Sequence, residues 1–235
     1  MGNREAREPS NVVAQCLGVD VPASPFLHER RIERINKARY EGQEIAGGIH
    51  LVKKGDVVLE LGAGIGLVGA VVSAKCSPQK VVSFEANPAL IPHIRELYEI
   101  NGLGKTNSVR NEILVSAPER PETLPFYIHN SYLGSSLSGD PARAKEVVNI
   151  PTVDFEATRQ ELNPDILLMD IEGGEKEILA HANLNGIRGI VIEFHPKAYG
   201  VDGMKACKSI LRDVGFVPLK DLSTRSVWVA ERSIR

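Results

Sequence analysis

Residues 57–69 read Val-Val-Leu-Glu-Leu-Gly-Ala-Gly-Ile-Gly-Leu-Val-Gly, and this stretch is the most informative part of the sequence. An apolar strand runs directly into three glycines spaced by two, Gly62, Gly64 and Gly66, and an apolar helix follows them. Glycines let a backbone turn tightly and let a ligand approach it without a Cβ in the way. The helix N-terminus beyond them offers free N–H donors. The stretch therefore predicts a nucleotide-type cofactor at the carboxyl end of a parallel sheet.

Two cofactor classes share this glycine pattern. Residues 64–69 satisfy the G-x-G-x-x-G of NAD-binding domains, and Glu85 follows near the ribose-binding distance of about 20 residues. Glu60 favours S-adenosylmethionine, because an acid beside the turn can meet its positive methionine part but would repel the pyrophosphate of NAD. We therefore expect S-adenosylmethionine as the cofactor. The alternatives are an NAD-dependent oxidoreductase, a non-catalytic cofactor-binding module, and a turn whose glycines serve packing alone.

Composition limits the class of protein and its partners. The 235-residue chain has a formal net charge of −2, and no basic run suggests nucleic acid. Cys16, Cys76 and Cys207 are too few and too scattered for a disulfide framework or a zinc site, which fits a reducing compartment. Neither a signal-peptide pattern nor an apolar run of about 18 residues is visible. These features predict a cytoplasmic protein with no nucleic-acid or membrane partner.

Strands and helices alternate along the chain, which predicts a doubly wound α/β sheet. The last two strands are joined by a short polar turn and should pair antiparallel. The predicted strands span residues 57–61, 80–84, about 108–115, 166–169, 189–194, about 216–220 and about 226–230.

The chain is predicted to divide into two parts with one insertion. Residues 1–55 form a lead and helices that could act as a substrate lid or cap, and residues 56–235 form the cofactor-binding domain. Within the lead, residues 1–23 read as loosely ordered, Ser24-Pro25 begins one helix, and a second helix covers about 41–52. The insertion, about 117–152, is predicted as a substrate-facing hairpin because of its polar and aromatic residues, Tyr127, His129, Tyr132, Ser135 and Ser136.

A second distinctive run, Asp170-Ile-Glu-Gly-Gly-Glu175, follows the fourth strand of this pattern. Together with residues 60–66 and 84–88, it resembles the FkbM family of S-adenosylmethionine-dependent methyltransferases. The resemblance covers about residues 38–232 and includes Tyr40-Glu41, Asn111–Ser116 and Ile192–His195. One departure is Ile65, where many members of the family have asparagine.

The resemblance implies a class I methyltransferase fold, a Rossmann-like seven-stranded sheet whose last strand is antiparallel. It also implies O-methylation of a hydroxyl on a small molecule, sugar or secondary metabolite. In that family Glu60 would lie near the methionine part of the cofactor, Glu85 would accept both ribose hydroxyls, and Asn111 or Glu112 would approach the adenine. The full set of implied cofactor-binding residues is Tyr40, Glu41, Glu60, Gly62, Gly64, Gly66, Glu85, Ala86, Asn111, Glu112 and Asp170.

Catalysis needs a group that accepts the proton of the methylated hydroxyl. His195 follows the fifth strand and titrates in a suitable range, so it is the predicted base. Asp170 and Glu172 are predicted to orient its ring or to act as the base themselves.

Asp170 and Glu193 end adjacent strands, which makes a divalent ion conceivable, but two acids without fixed spacing do not justify a predicted metal. A homo-oligomer is left open.

Overall fold

The computed structural model describes residues 11–129 and 144–233. Its strands in chain order are β1 (Val12–Cys16), β2 (Val19–Pro22), β3 (Val57–Leu61), β4 (Lys80–Phe84), β5 (Asn107–Arg110), β6 (Ile113–Val115), β7 (Thr123–Ile128), β8 (Glu146–Asp154), β9 (Ile166–Met169), β10 (Gly189–Glu193), β11 (Phe216–Pro218) and β12 (Val227–Arg232). Its helices are α1 (Glu29–Asn36), α2 (Gly42–Leu51), α3 (Leu67–Cys76), α4 (Ile91–Ile100), α5 (Phe155–Leu162), α6 (Glu175–His181) and α7 (Pro196–Asp213).

The central sheet has seven strands in the order β11-β12-β10-β9-β3-β4-β5. β12 runs antiparallel to β10 and β11, whereas the pairs from β10 through β5 are parallel. The predicted doubly wound sheet with an antiparallel last strand is therefore confirmed. Because β4, β3 and β9 are parallel neighbours, their carboxyl ends meet at one edge, with Leu61 opposite both Phe84 and Met169. The loops that follow these three strands can build a single site.

Each face of the sheet carries its own apolar core, because successive residues of a strand point to opposite faces. In β3, Val58 packs into the core formed with α2, α3 and α4, whereas Leu59 packs into the core formed with α5, α6 and α7. Both side chains have no exposed surface. This alternation determines which of the two cores each side chain near the carboxyl ends of the strands faces.

The N-terminal segment differs from the prediction of a loosely ordered lead. Residues 12–22 form an antiparallel hairpin, β1–β2, and Asn101 at the end of α4 holds it by accepting from the Asp20 backbone N–H and donating to the Asp20 carbonyl. The first helix begins at Glu29 rather than at Ser24-Pro25. The second helix is confirmed as α2, and it packs on the sheet in the same core as α3. A role for residues 1–55 as a lid or cap stays a prediction.

The predicted insertion contains an antiparallel hairpin, β7–β8, and β6 pairs parallel to β8. The single third strand predicted over 108–115 is wrong, because the chain leaves the central sheet after β5 and joins this smaller sheet as β6. Helix α5, which was not predicted, follows β8 directly and is capped by Asp154, whose carboxylate accepts from the Ala157 N–H. Tyr132, Ser135 and Ser136 lie outside the described residues.

Within 11–129 and 144–233 no helix is both long and apolar enough to cross a membrane.

Candidate active site

The glycine turn after β3 brings the backbone close to the end of β9. Gly62, Gly64 and Gly66 all have positive φ angles, 82°, 55° and 81°, a region that glycine enters without a steric penalty. A Cβ on Gly62 would lie 1.7 Å from the carbonyl oxygen of Asp170. Gly66 is the N-cap of α3 and has no capping side chain. Position 62 therefore requires glycine, because the turn packs there against the backbone of Asp170. At the N-terminus of α3 no side chain of the described residues caps the backbone.

A cavity of about 400 Å³ opens between this turn and the β6–β8 sheet. Its apolar wall comes from the ends of β3 and β4, from β6 and from the insertion, where Leu124 and Phe126 contribute. Predicted cofactor or catalytic residues that line it are Glu41, Gly62, Gly64, Glu85, Ala86, Glu112, Asp170 and Glu172, whereas Tyr40, Glu60, Gly66, Asn111 and His195 do not. The structure thus brings most of the predicted residues together at the edge of the sheet.

Glu85 and the glycine turn are held to each other directly. One carboxylate oxygen of Glu85 accepts from the Gly64 N–H at 2.8 Å, and the other accepts from the Asn87 N–H at 2.7 Å. Burial raises the pKa of Glu85 to about 7 despite these hydrogen bonds. A carboxylate has about four acceptor positions, so both oxygens keep capacity for donors from a ligand in the cavity.

Asn111 and Glu112, the two candidates for contact with the adenine, have different surroundings in the structure. The Asn111 side-chain amide donates to the carbonyls of Glu85 and Ala86, at 2.8 and 3.0 Å, and so stabilises the turn after β4. Glu112 lines the cavity, and its Oε2 is buried without a hydrogen-bond partner. A buried acceptor with no partner is costly unless a ligand supplies a donor. Glu112, and not Asn111, is therefore the residue suited to an amino group of a ligand.

Glu60 does not lie where the sequence suggested. Its carboxylate is 2% exposed and points into the core beneath the turn, where it accepts from the Gly69 N–H at 2.9 Å and from the Ser83 hydroxyl. Strand alternation explains this, because Glu60 shares the face of Val58 rather than that of Leu59 and Leu61. The absent side chain at Gly69 leaves room for the carboxylate. Glu60 does not line the cavity, and its contact with the methionine part of the cofactor stays a prediction.

Two cavity residues hold left-handed backbone conformations that L side chains rarely adopt. Glu41 has φ 47° and Glu172 has φ 51°, a conformation that costs on the order of 1–2 kcal/mol for a non-glycine residue. Burial raises the pKa of Glu41 to about 8, although a hydrogen bond from the Tyr40 side chain opposes the shift. Such strain tends to collect at functional sites, and here it lies at two acids that face the same cavity.

His195 lies behind the cavity, enclosed by three carboxylates. Its Nδ1 is 2.8 Å from Glu175 Oε1, and its Nε2 is 3.5 Å from Asp170 Oδ1 and 3.4 Å from Glu172 Oε2. Burial alone would lower the pKa of His195, but the hydrogen bond to Glu175 and the three negative charges outweigh burial and raise this pKa to about 9. With this raised pKa the ring favours its protonated form, and the role of His195 as the base stays a prediction.

Asp170 and Glu172 take the positions closest to the cavity in this cluster. Asp170 Oδ1 is buried and accepts no hydrogen bond. Burial, and then the charge of Glu193, raise the pKa of Asp170 well above its ordinary value, while His195 opposes the shift. Burial also raises the pKa of Glu172. Two carboxyls with raised pKa values beside an open cavity are suited to accept a proton from a bound ligand.

Glu175 is a site residue that the sequence-based prediction omits. Its side chain has no exposed surface, and Oε1 contacts both His195 Nδ1 and the Gly173 N–H, at 2.8 and 3.1 Å. Its position as the last acid of the run 170–175 was the available signal. Asp170, Glu175 and His195 each offer a ligand atom within 4.8 Å of the others, so these three residues could hold a metal ion.

The stability of the ligand-free protein is expected to fall as the pH rises from about 5 to about 8. Glu41, Glu60 and Glu85 have pKa values of about 8, 7 and 7 in the folded chain, against 4.5 for an ordinary glutamate. Between these values the folded state binds more protons than the unfolded state, so stability decreases with pH. Each group contributes on the order of 1–3 kcal/mol over this window. His195 acts in the same direction, because its pKa is also raised.

Urea unfolding at several pH values measures this dependence. The variant Glu60→Gln removes one titrating group while keeping an acceptor for the Gly69 N–H, and its stability should change less with pH than that of the wild type. A wild-type stability that increases between pH 5 and pH 8 would contradict these assignments.

Comparison with known proteins identifies the family of the chain. The family model described as the methyltransferase FkbM domain matches residues 60–218. No curated protein sequence matches the chain. Among solved structures, the chain is similar to a precorrin-6y C5,15-methyltransferase from Geobacter metallireducens, with 15% identity, TM-score 0.47, and 83% of this chain and 90% of the other covered.

Two further solved structures show a comparable degree of similarity. Sp1610 of Streptococcus pneumoniae, a candidate tRNA (m1A22) methyltransferase in complex with S-adenosyl-L-methionine, has 11% identity and TM-score 0.47, with 81% of this chain and 72% of the other covered. A candidate rRNA methylase from Clostridium thermocellum has 9% identity and TM-score 0.48, with 81% and 94% covered. The family match spans most of the chain, and the strand order is that of the class I fold. The chain therefore belongs to the FkbM methyltransferase family and uses S-adenosylmethionine as its cofactor.

Proposed function

We propose that this enzyme methylates a hydroxyl group on a small molecule and that Asp170 accepts the hydroxyl proton. S-adenosylmethionine supplies an electrophilic methyl group when it is bound. The observation that carries the proposal is Asp170 itself, a carboxyl with a raised pKa and a buried Oδ1 without a hydrogen-bond partner at the cavity wall. An aliphatic hydroxyl does not ionise alone near neutral pH, so a proton acceptor within reach accelerates its methylation.

The residues around the cavity fit the two ends of the cofactor. Glu85 has spare acceptor capacity beside Gly64, which suits the two hydroxyls of a ribose. The unpartnered Oε2 of Glu112 suits the exocyclic amino group of an adenine. At the other end, the carboxylates of Glu41, Asp170 and Glu172 would face the positive sulfonium. The positive charge that Glu60 was expected to meet is thus assigned to a different set of acids.

Charge around the cavity favours a neutral or cationic acceptor over a polyanion. Its acidic lining residues are Glu41, Glu85, Glu112, Asp170, Glu172 and Glu177, and no lysine or arginine lines it among the residues that the structure describes. Binding to nucleic acid depends on lysine and arginine contacts with phosphate. The apolar wall from Leu124 and Phe126 adds surface for the carbon skeleton of an acceptor. These features support a small-molecule hydroxyl rather than a base in RNA.

Replacing Glu85 with alanine should weaken binding of S-adenosylhomocysteine by about 1–3 kcal/mol, because charge-assisted hydrogen bonds to the ribose are lost. Glu112→Ala should have a similar effect through the adenine. Isothermal titration calorimetry measures both. Glu161→Ala is the matched control, since Glu161 is an exposed acid paired with Arg110. An unchanged dissociation constant for either variant would remove that residue from the site.

The acceptor class is tested with methyl-labelled S-adenosylmethionine and two pools of acceptors. One pool contains sugars and hydroxylated small molecules, and the other contains total tRNA and rRNA. Label is expected in a small molecule, in a methyl ether. Label in RNA would contradict the proposed acceptor class, and tight cofactor binding without turnover in either pool would favour the non-catalytic module.

A further inference from the structure

Glu175 is the most deeply buried of the three acids around His195. Its side chain has no exposed surface, whereas the side chains of Asp170 and Glu172 keep 25% and 31% of theirs. Glu175 does not line the cavity, so any effect on a bound ligand must pass through other residues. A buried acid is costly unless its oxygens accept hydrogen bonds, and the donors that it contacts therefore indicate its role.

One oxygen of Glu175 contacts two donors, and the other contacts none. Oε1 lies 2.8 Å from His195 Nδ1 and accepts from the Gly173 N–H at 3.1 Å. Oε2 is buried and has no hydrogen-bond partner. The side chain thus joins the imidazole to the backbone of the run 170–175, which also carries Asp170 and Glu172.

The backbone of His195 is held as well. Its N–H donates to the Tyr199 hydroxyl at 2.7 Å, within the first turn of α7, which Gly200 separates from the rest of the helix with φ 78° and ψ 166°. The Tyr199 ring lies against Gly203, where an added Cβ would be 2.8 Å from it. Two side chains therefore fix the same histidine, one through its ring and one through its backbone.

This orientation directs Nε2 of His195 toward two acids of the cavity. Nε2 is 3.5 Å from Asp170 Oδ1 and 3.4 Å from Glu172 Oε2, which are ion-pair distances, longer than the about 2.7–3.2 Å of a hydrogen bond. An unprotonated Nε2 would point its lone pair at both carboxylates, so the contacts favour the protonated ring, in agreement with its raised pKa. A positive charge there stabilises the ionised form of Asp170, and only an ionised carboxylate can accept a proton.

We propose that Glu175 is a positioning residue for proton transfer, which holds the imidazole of His195 against Asp170 so that this carboxylate stays ionised at the cavity wall. The proposal rests on the proposed function, in which Asp170 accepts the proton of the acceptor hydroxyl. Glu175 itself neither gains nor loses a proton in that step.

Two substitutions at position 175 separate a lost hydrogen bond from a lost charge. Glu175→Gln keeps an oxygen for the His195 and Gly173 donors, and its amide nitrogen takes the place of Oε2, which has no partner to lose. Glu175→Ala removes the acceptor. The single-turnover rate of label transfer should fall about 100-fold in Glu175→Ala, because the ring is misplaced. Glu175→Gln should keep at least about a tenth of the wild-type rate, since a neutral acceptor forms a weaker but still directed bond.

The KM for the acceptor and the dissociation constant of S-adenosylhomocysteine should stay close to the wild-type values in both variants. A residue that only stabilised the fold would not give this separation of rate from binding. Circular dichroism establishes that each variant is folded.

Tyr199→Phe provides a second variant if Glu175→Ala does not fold. It keeps the ring against Gly203 and removes only the hydroxyl, and it should lower the transfer rate about tenfold. Ser73→Ala is the matched control, because it also removes one buried hydroxyl, which donates to Asn107 at 2.6 Å and does not line the cavity. Ser73→Ala should transfer label at the wild-type rate.

The proposal is overturned if Glu175→Ala transfers label at the wild-type rate, if Glu175→Gln is as slow as Glu175→Ala, or if the rate falls only together with cofactor binding. Proton NMR of the ligand-free chain needs no activity and separates this test from the proposed function. A downfield Nδ1 proton of His195 is expected in the wild type and in Glu175→Gln, and it should be absent from Glu175→Ala. A wild type that shows this proton but methylates no hydroxyl would contradict the proposed function, and the proposal with it. An active wild type whose Nδ1 proton persists in Glu175→Ala would contradict the proposal alone.

Discussion

Replacing Asp170 with asparagine is expected to lower the rate of methyl transfer by about 10²–10⁴-fold at saturating cofactor and acceptor. The amide keeps the size of the side chain but cannot accept a proton. Asp170 lines the cavity beside Gly62, and burial holds the pKa of its carboxyl well above the ordinary value. The measurement is the single-turnover rate of label transfer, because product release does not obscure the chemical step.

A variant of the neighbouring acid Glu172 tests which of the two carboxyls accepts the proton. Glu172→Gln should lower the rate less if Asp170 is the proton acceptor, and more if Glu172 is. S-adenosylhomocysteine should still bind to Asp170→Asn, which separates chemistry from cofactor binding. A variant Asp170→Asn that transfers methyl groups at the wild-type rate would contradict the role given to this residue.

Replacing Gly62 with alanine is expected to destabilise the fold by about 2–5 kcal/mol. About 1–2 kcal/mol comes from placing a side chain at φ 82°. A further 1–3 kcal/mol comes from overpacking, because the new Cβ would lie 1.7 Å from the Asp170 carbonyl oxygen. The backbones of the glycine turn and of the end of β9 would have to separate. Thermal and urea unfolding measure the loss, and cofactor binding should fall with it.

Gly102 provides a matched control for this substitution. It also has a positive φ, 68°, but a Cβ there meets nothing within 4 Å. Gly102→Ala should therefore show the conformational cost without the collision, about 1–2 kcal/mol. Equal losses of unfolding free energy in the two variants would mean that the close contact between the glycine turn and β9 contributes nothing to the cost of Gly62→Ala.

The sheet and the cofactor end could be predicted because their signals are local. The apolar run of β3 and its glycines lie within 13 residues, 57–69, and Glu85 directly follows the next strand at the expected spacing. The closing strands β11 and β12 were readable from their short polar connection. The hairpin β1–β2 also had a local signal that the prediction missed. Leu17-Gly18 takes positive φ at both positions, 48° and 89°, as tight hairpin turns require.

The positions of Glu60 and His195 depend on contacts that are distant in sequence. Glu60 turns into the core because Gly69 and Ser83 provide two donors there, although strand alternation alone would have indicated its face. The pKa of His195 is raised because Glu175, 20 residues earlier, lies against its Nδ1. A pKa set by three carboxylates cannot be obtained from one residue and its neighbours in the chain.

The cavity at the end of β3, β4 and β9 is expected to bind S-adenosylmethionine through its acids and glycine turn. Calorimetric titration of the wild-type chain with S-adenosylhomocysteine and, separately, with NAD tests this most directly. We predict one S-adenosylhomocysteine bound per chain, weakened in Glu85→Ala, and no binding of NAD. Binding of NAD without any response to S-adenosylhomocysteine would contradict a methyltransferase cofactor site in this cavity.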